Sequence, residues 1–192
     1  QTVECTSPAG AVVVLDGSAT SDPDGELPLV SWFAGTNLDV SRLVSNDLVA
    51  SVQQAQGTAA YSLMVTDATM NVSVDQTEVT VRDTVAPVLD VHATPDCLWP
   101  PDHKMVLFEI GDGLQVTATD SCDAAPQLRI VDVVSSQGET GGGSGKFAPD
   151  VLFGADALCV RAERNGTQIA DREYLVTVEA TVTSQYSVCG TG

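Results

Sequence analysis

The chain has 192 residues, and its 8 basic side chains stand against 26 acidic ones for a net charge of −18. A balance of that sign repels phosphate backbones and excludes nucleic-acid binding, and no apolar run approaches the roughly 20 residues a membrane helix needs, which excludes helical insertion. The hydrophobic share is 43% with only 5% aromatic, so the core must be built from valine, leucine and alanine, and valine favours strands.

Period-two alternation recurs at short intervals with turn residues between, and no long stretch shows helical periodicity. The expected fold class is all-β, as two tandem immunoglobulin-like β-sandwich domains over residues 1–85 and 86–192, each within the usual size of such a sandwich. The first predicted strand, 11–15, runs into Asp16-Gly17-Ser18-Ala19-Thr20-Ser21-Asp22-Pro23-Asp24-Gly25-Glu26. Asp16, Asp22, Asp24 and Glu26 offer the hard oxygens that calcium takes, while glycine and proline bend the backbone to converge them. The same letters also make a solvated turn whose side chains cap their own backbone. An EF-hand is excluded by register: with Gly25 as the fixed glycine, the first ligand would be Thr20 and the bidentate one Ser31.

Strands follow at 29–33, 47–52, 61–66 and 72–82. Asp67 and Asp83 are candidates to complete a calcium site at the domain junction, which would stiffen the linker. Asp83-Thr84-Val85-Ala86-Pro87 is the expected boundary. The second half predicts strands at 88–93, 105–110, 114–119, 128–134, 157–163 and 173–183. In the last, Tyr174, Val176, Val178, Ala180 and Val182 share one face. Residues 135–145 are rich in serine and glycine and read as a loop.

Five cysteines, at 5, 97, 122, 159 and 189, are too widely spaced for a zinc ribbon or a CxxC pair. They point to an oxidising, extracytoplasmic setting with one or two disulfides of undetermined pairing. No signal-peptide pattern is present, as expected of a mature or excised segment. His92 and His103 meet no zinc spacing. Trp99-Pro100-Pro101 reads as a structural turn, with Trp99 on the core edge and His103 and Lys104 bonded to backbone or carboxylate. There is no Gly-x-Ser-x-Gly elbow, and the two histidines are all that a Ser-His-Asp triad could use, so no catalytic residues are assigned. Arg161, Glu163 and Arg164 read as cross-strand ion pairs on a sheet face. Asp120 and Asp123 read as turn residues, and Trp32, Trp99 and Tyr174 as inward-facing. Asn71 and Asn165 open glycosylation sequons.

Two segments carry a family resemblance. Asp16 to Glu26, followed by Leu29-Val30-Ser31-Trp32-Phe33, resembles the opening of polycystic-kidney-disease (PKD) and related immunoglobulin-like modules. Val65-Thr66-Asp67, Asn71 and the run 79–87 are similar to the closing strands of that class, including hyalin-repeat modules, with Met70 where those modules often place glycine. Leu98-Trp99-Pro100-Pro101-Asp102-His103-Lys104 resembles a bacterial surface module marked by Leu-Trp-Pro-Pro-Asn-His-Lys, with Ala118-Thr119-Asp120-Ser121-Cys122-Asp123 and Val160-Arg161-Ala162-Glu163-Arg164-Asn165-Gly166 continuing in order. Residues 141–145 lack the aspartates its relatives often carry, and residues 183–192 lack their usual Asp-x-x-Gly-Asn turn. The resemblance implies tandem immunoglobulin-like modules in large secreted or surface proteins of bacteria, myxobacteria especially. The expected role is therefore non-catalytic, structural or adhesive, at the cell surface, with calcium as the candidate ion. Expected partners are other copies of the chain or neighbouring surface proteins, and extracellular glycan. Edge strands and the end segments 1–6 and 183–192 provide routes to self-assembly into a layer or filament. The alternative is an accessory polysaccharide- or protein-binding part of a larger secreted hydrolase.

Overall fold

A computed structural model describes residues 1–23, 25, 29–139, 146–166 and 170–181. The chain divides into two compact units, Gln1–Val85 and Ala86–Gly192. Each is all-β, built from strands that alternate buried and exposed side chains.

The first unit holds β1 (Thr2–Glu4), β2 (Ala11–Asp16), β3 (Leu29–Ala34), a 3-10 turn (Val40–Arg42), β4 (Leu43–Ser45), β5 (Val49–Gln54), β6 (Gly57–Thr66) and β7 (Val72–Arg82). One sheet runs β1-β7-β6-β3-β4 and the other pairs β2 with β5. This is the immunoglobulin partition, with the second and fifth main strands in one layer and the third, sixth and seventh in the other. Ala11, Val13 and Leu15 are buried on one face of β2, and Trp32, Tyr61, Val79 and Val81, which the register puts on one face of the large sheet, are buried with them. The buried Gln54 ties the layers together, its Nε2 donating to the Val79 carbonyl at 3.0 Å. β1 is the exception to the antiparallel pairing: it runs parallel to β7, with Thr2, Val3 and Glu4 opposite Thr80, Val81 and Arg82.

Gly17, at the head of the acidic turn, is required by close approach. A Cβ there would lie 3.0 Å from the Leu48 carbonyl and 3.2 Å from Leu63 Cδ2. The glycine of Asp-Gly-Ser thus serves packing of the turn onto the core.

The second unit holds β8 (Val88–Ala93), β9 (Met105–Ile110), β10 (Gly113–Thr119), β11 (Gln127–Ser135), β12 (Val151–Phe153), β13 (Ala157–Arg161) and β14 (Tyr174–Thr181). Its larger sheet runs β12-β13-β9-β10-β8, and its smaller one pairs β11 with β14. β9 and β10 run in the same direction through a tight turn at Gly111 to Gly113. Together they take the place of one immunoglobulin strand, which makes this sheet equivalent to the four-stranded layer of a constant-type sandwich. Phe108, Leu114, Ile130, Val133, Leu158 and Val160 form the core, flanked by Tyr174, Val176 and Val178 of β14.

The expected alternation along β14 holds for Tyr174, Val176 and Val178; Val182 lies outside the described residues. In β11 the register shifts between Ile130 and Asp132. That bulge places Ile130 and Val133, three apart, both in the core, which strict alternation does not anticipate. β1, β4 and β12, each of three residues, were too short to show a period.

Candidate functional site

Among the described residues, the candidate ligands Asp16 and Asp67 each close a local turn. Asp16 closes a local turn, Oδ1 accepting the Ser18 amide at 2.8 Å, and the Ser18 interactions lower its pKa. Asp67 organises the β6–β7 turn: its carboxylate accepts the Thr69 amide, the Thr69 hydroxyl, the Asn71 amide and the Asn71 side-chain amide, all at 2.8–2.9 Å. Four donors fill the acceptor capacity of a carboxylate, and Asn71, ahead of Thr69, holds the Asp67 pKa below its ordinary value. Asp22 borders a small cleft with Asp67 and Asn71.

Asp83 corrects the expected set. It follows β7, whereas Asp67 precedes it, and the eleven residues of Val72–Arg82 separate the two by on the order of 30 Å at the rise of an extended strand. The two cannot complete one junction site. Asp24 and Glu26 lie outside the described residues. In the second unit Asp120 likewise closes its own turn, accepting the Cys122 and Asp123 amides at 2.7 and 2.9 Å.

The chemistry of the molecule is concentrated instead where β13 ends. The strand stops at Arg161, so Glu163 leaves the sheet and its side chain is wholly buried. The expected surface ion pairs at Arg161 and Glu163 are therefore corrected to an interior network. Asp150 and Arg172 form its centre, with side chains 0% and 1% exposed and the guanidinium Nη1 on Asp150 Oδ2. Arg161 Nε lies 3.4 Å from Asp150 Oδ1, Arg172 Nη1 lies 3.3 Å from Glu163 Oε1, and His103 Nδ1 lies 3.0 Å from Glu163 Oε2. The imidazole stacks on Phe147 at 4.3 Å between centroids.

Tyr174, at the start of β14, donates its hydroxyl to the Arg161 carbonyl at 2.8 Å. This binds the start of the sixth main strand back to the end of the fifth, as the tyrosine corner of immunoglobulin folds does. Burial works against charge on Arg172, yet its hydrogen bonds to Asp150 and Tyr174 more than offset that and raise its pKa. Burial raises that of Tyr174.

Beside the network lies a cleft of about 630 Å³ within the second unit, bordered by Glu163, Arg172, Tyr174, Trp99, Leu98 and core side chains. Trp99 is 78% exposed, which overturns its expected position on the core edge. Trp32 is buried as expected. His103 and Lys104 do bond as read: Lys104 Nζ sits 2.6 Å from Asp102, and the His103 amide donates to the Ala162 carbonyl.

Cys5 and Cys122 are disulfide-bonded, while Cys97 and Cys159 carry free thiols. Among the described residues no helix is long and apolar enough to cross a membrane. No protein-family model matches the chain, and no curated protein is significantly similar to it. Among solved structures, the human desmocollin-1 ectodomain aligns with 98% of this chain at 12% identity and a TM-score of 0.29. The chain spans 37% of that ectodomain's length. So loose an alignment carries no argument about function, and the fold class rests on the strand topology.

Proposed function

We propose that the chain is a non-catalytic, extracellular pair of immunoglobulin-like modules with a structural or adhesive role. The observation that carries this reading is the tandem of two sandwiches with the immunoglobulin division of strands. Disulfide bonding at Cys5 and Cys122 supports it, because a reducing cytoplasm opens such bonds. The resemblance of residues 98–104 to bacterial surface modules adds the cellular setting. Val12 and Val14 stand exposed on β2, in a two-stranded sheet whose described outer edges pair with no further strand, and such edges accept strands from other copies.

Antibody staining of intact producing cells tests the location, and clustering of beads coated with the chain tests adhesion. Staining without lysis and bead clustering are the expected results. Staining only after lysis, or dispersed beads, would overturn the reading.

Among the described residues, Asp22 and Asp67 border one small cleft where calcium would meet two carboxylates. An ion there would have to displace donors already on Asp67, so exchanging chelator for millimolar calcium should leave the calorimetric midpoint unchanged. A rise would assign an ion to the folded state, since a ligand bound only to that state must stabilise it. A role as an accessory binding module of a secreted hydrolase is favoured by one observation, the exposed Trp99 beside the cleft.

A further inference from the structure

Strand β2 reads Ala11-Val12-Val13-Val14-Leu15 before Asp16 closes it, an uncharged apolar run in a chain that carries −18. It pairs with β5 on one side, and among the described residues no strand pairs with it on the other. The Gly17 amide donates to the Leu48 carbonyl at 2.9 Å and continues the β2–β5 register. Hydrogen-bonded pairs alternate along an antiparallel ladder, so Ala11, Val13 and Leu15 direct their backbone groups to β5. Val12 and Val14 turn their N–H and C=O groups to the open side, and their side chains are 60% and 48% exposed on the outer face.

Native proteins blunt such edges by shortness, charge or bulges. The other described edges follow that rule: β1, β4 and β12 have three residues each, β8 carries Asp90 and His92, β14 carries Glu179 and β11 is bulged. β5 is uncharged but shows Ser51 and Gln53 to solvent. Among these edges β2 alone is apolar, uncharged from Ala11 to Leu15 and without a bulge.

The strand is complementary to itself. Set antiparallel to a second copy about a two-fold axis at Val13, it places Val12 opposite Val14 of that copy, and Val14 opposite Val12. These are the residues with open backbone groups, so the two pairs make four N–H···O bonds. The four valines then cover one another on the outer face. Asp16 falls opposite Gly10, so no two carboxylates face each other across the seam, where like charges would be destabilising.

We propose that β2 is a self-recognition edge, joining two copies of the chain into a closed dimer through an antiparallel β2–β2 seam. The proposal rests on the reading of the chain as an adhesive module and names the strand and register by which it meets its partner. A two-fold contact uses the same patch on both subunits and therefore closes on itself.

The test is sedimentation equilibrium of the intact chain, with Cys97→Ser in every sample so that this exposed free thiol forms no cross-link. The mass should rise with concentration from 19.9 kDa to twice that value and no further, with a Kd on the order of 0.1 mM for so small a seam. Val14→Lys should weaken association about tenfold or more, although it lowers the net negative charge and with it the repulsion between copies. The side chain it replaces is exposed, so the fold should stay intact, as circular dichroism checks. Adding Val12→Glu sets opposite charges across both valine pairs and should recover much of the association. In a register shifted by one pair along the strand, the same two substitutions would set like charges opposite each other.

A monomer at every concentration, a mass that climbs past the dimer, association untouched by Val14→Lys, or no recovery in the paired variant would overturn the proposal. Bead clustering that persists in Val14→Lys would remove this seam and leave adhesion standing. A dimer with the expected variant pattern, in a chain that antibodies reach only after lysis, would keep the seam and remove the extracellular reading.

Discussion

Single residues carry most of the local logic of the first unit. Met70 has φ of 68°, a conformation that costs an L side chain roughly 1–2 kcal/mol, and its side chain is exposed. Met70→Gly should therefore stabilise the unit, by up to about 1 kcal/mol after the extra freedom of unfolded glycine is subtracted, seen as a midpoint a few degrees higher in calorimetry. The position was legible as one where the modules that the sequence resembles often place glycine; the reason for the conformation lies in the turn that Asp67 closes. The spacing Asp67-x-Thr69-x-Asn71 puts donors two and four residues along, and a turn-closing carboxylate could have been read from it in place of an ion ligand. Because Asn71 and Thr69 lower the folded-state pKa of Asp67, its contribution to stability is present above the unfolded value near 4. It is lost as pH falls through the lower folded value. Asp67→Asn should lower the midpoint at neutral pH, and the gap from wild type should close below about pH 4 in a pH series of thermal melts.

At the scale of elements, strands with a clean period were legible and their ends were not. Extending the alternation of β13 two residues past Arg161 put Glu163 on a surface, whereas the strand stops and the side chain turns inward to Arg172 and His103. Hydrophobic pattern carries no signal for such a network, because its members are hydrophilic and come from segments far apart in sequence. Trp99 was misplaced for a related reason: it lies in a proline-flanked loop, where no period assigns a face. Asp150→Asn should cost about 3–5 kcal/mol, since it leaves the Arg172 guanidinium buried without its main counter-charge. Arg129→Ala is the contrasting case. Arg129 faces Glu179 across β11 and β14 at 2.7 Å but is exposed, so its loss should cost under about 1 kcal/mol. Urea titration of both variants checks the ranking.

At the scale of the whole molecule, the all-β class follows from composition and spacing, and the −18 charge sets how the chain answers to its medium. Like charges repel in the compact state, and raising ionic strength from about 0.01 to 0.15 M shortens the screening length from about 30 to 8 Å. The thermal midpoint should therefore rise with sodium chloride over that range; a fall would mean that specific ion pairs outweigh the net repulsion. The parallel pairing of β1 with β7 has a mechanical consequence. Three residue pairs are flanked by hydrogen bonds from Thr80 to Gln1 and from Cys5 to Arg82, and the Thr84 amide donates to Glu4. Tension applied at Gln1 and at the end of the unit draws these strands in opposite directions along their own axes. All the bonds are then loaded at once in shear, where an antiparallel terminal pair would open one bond at a time. The first unit is thereby suited to bearing a pull along the chain, a load that any tether between surfaces must carry.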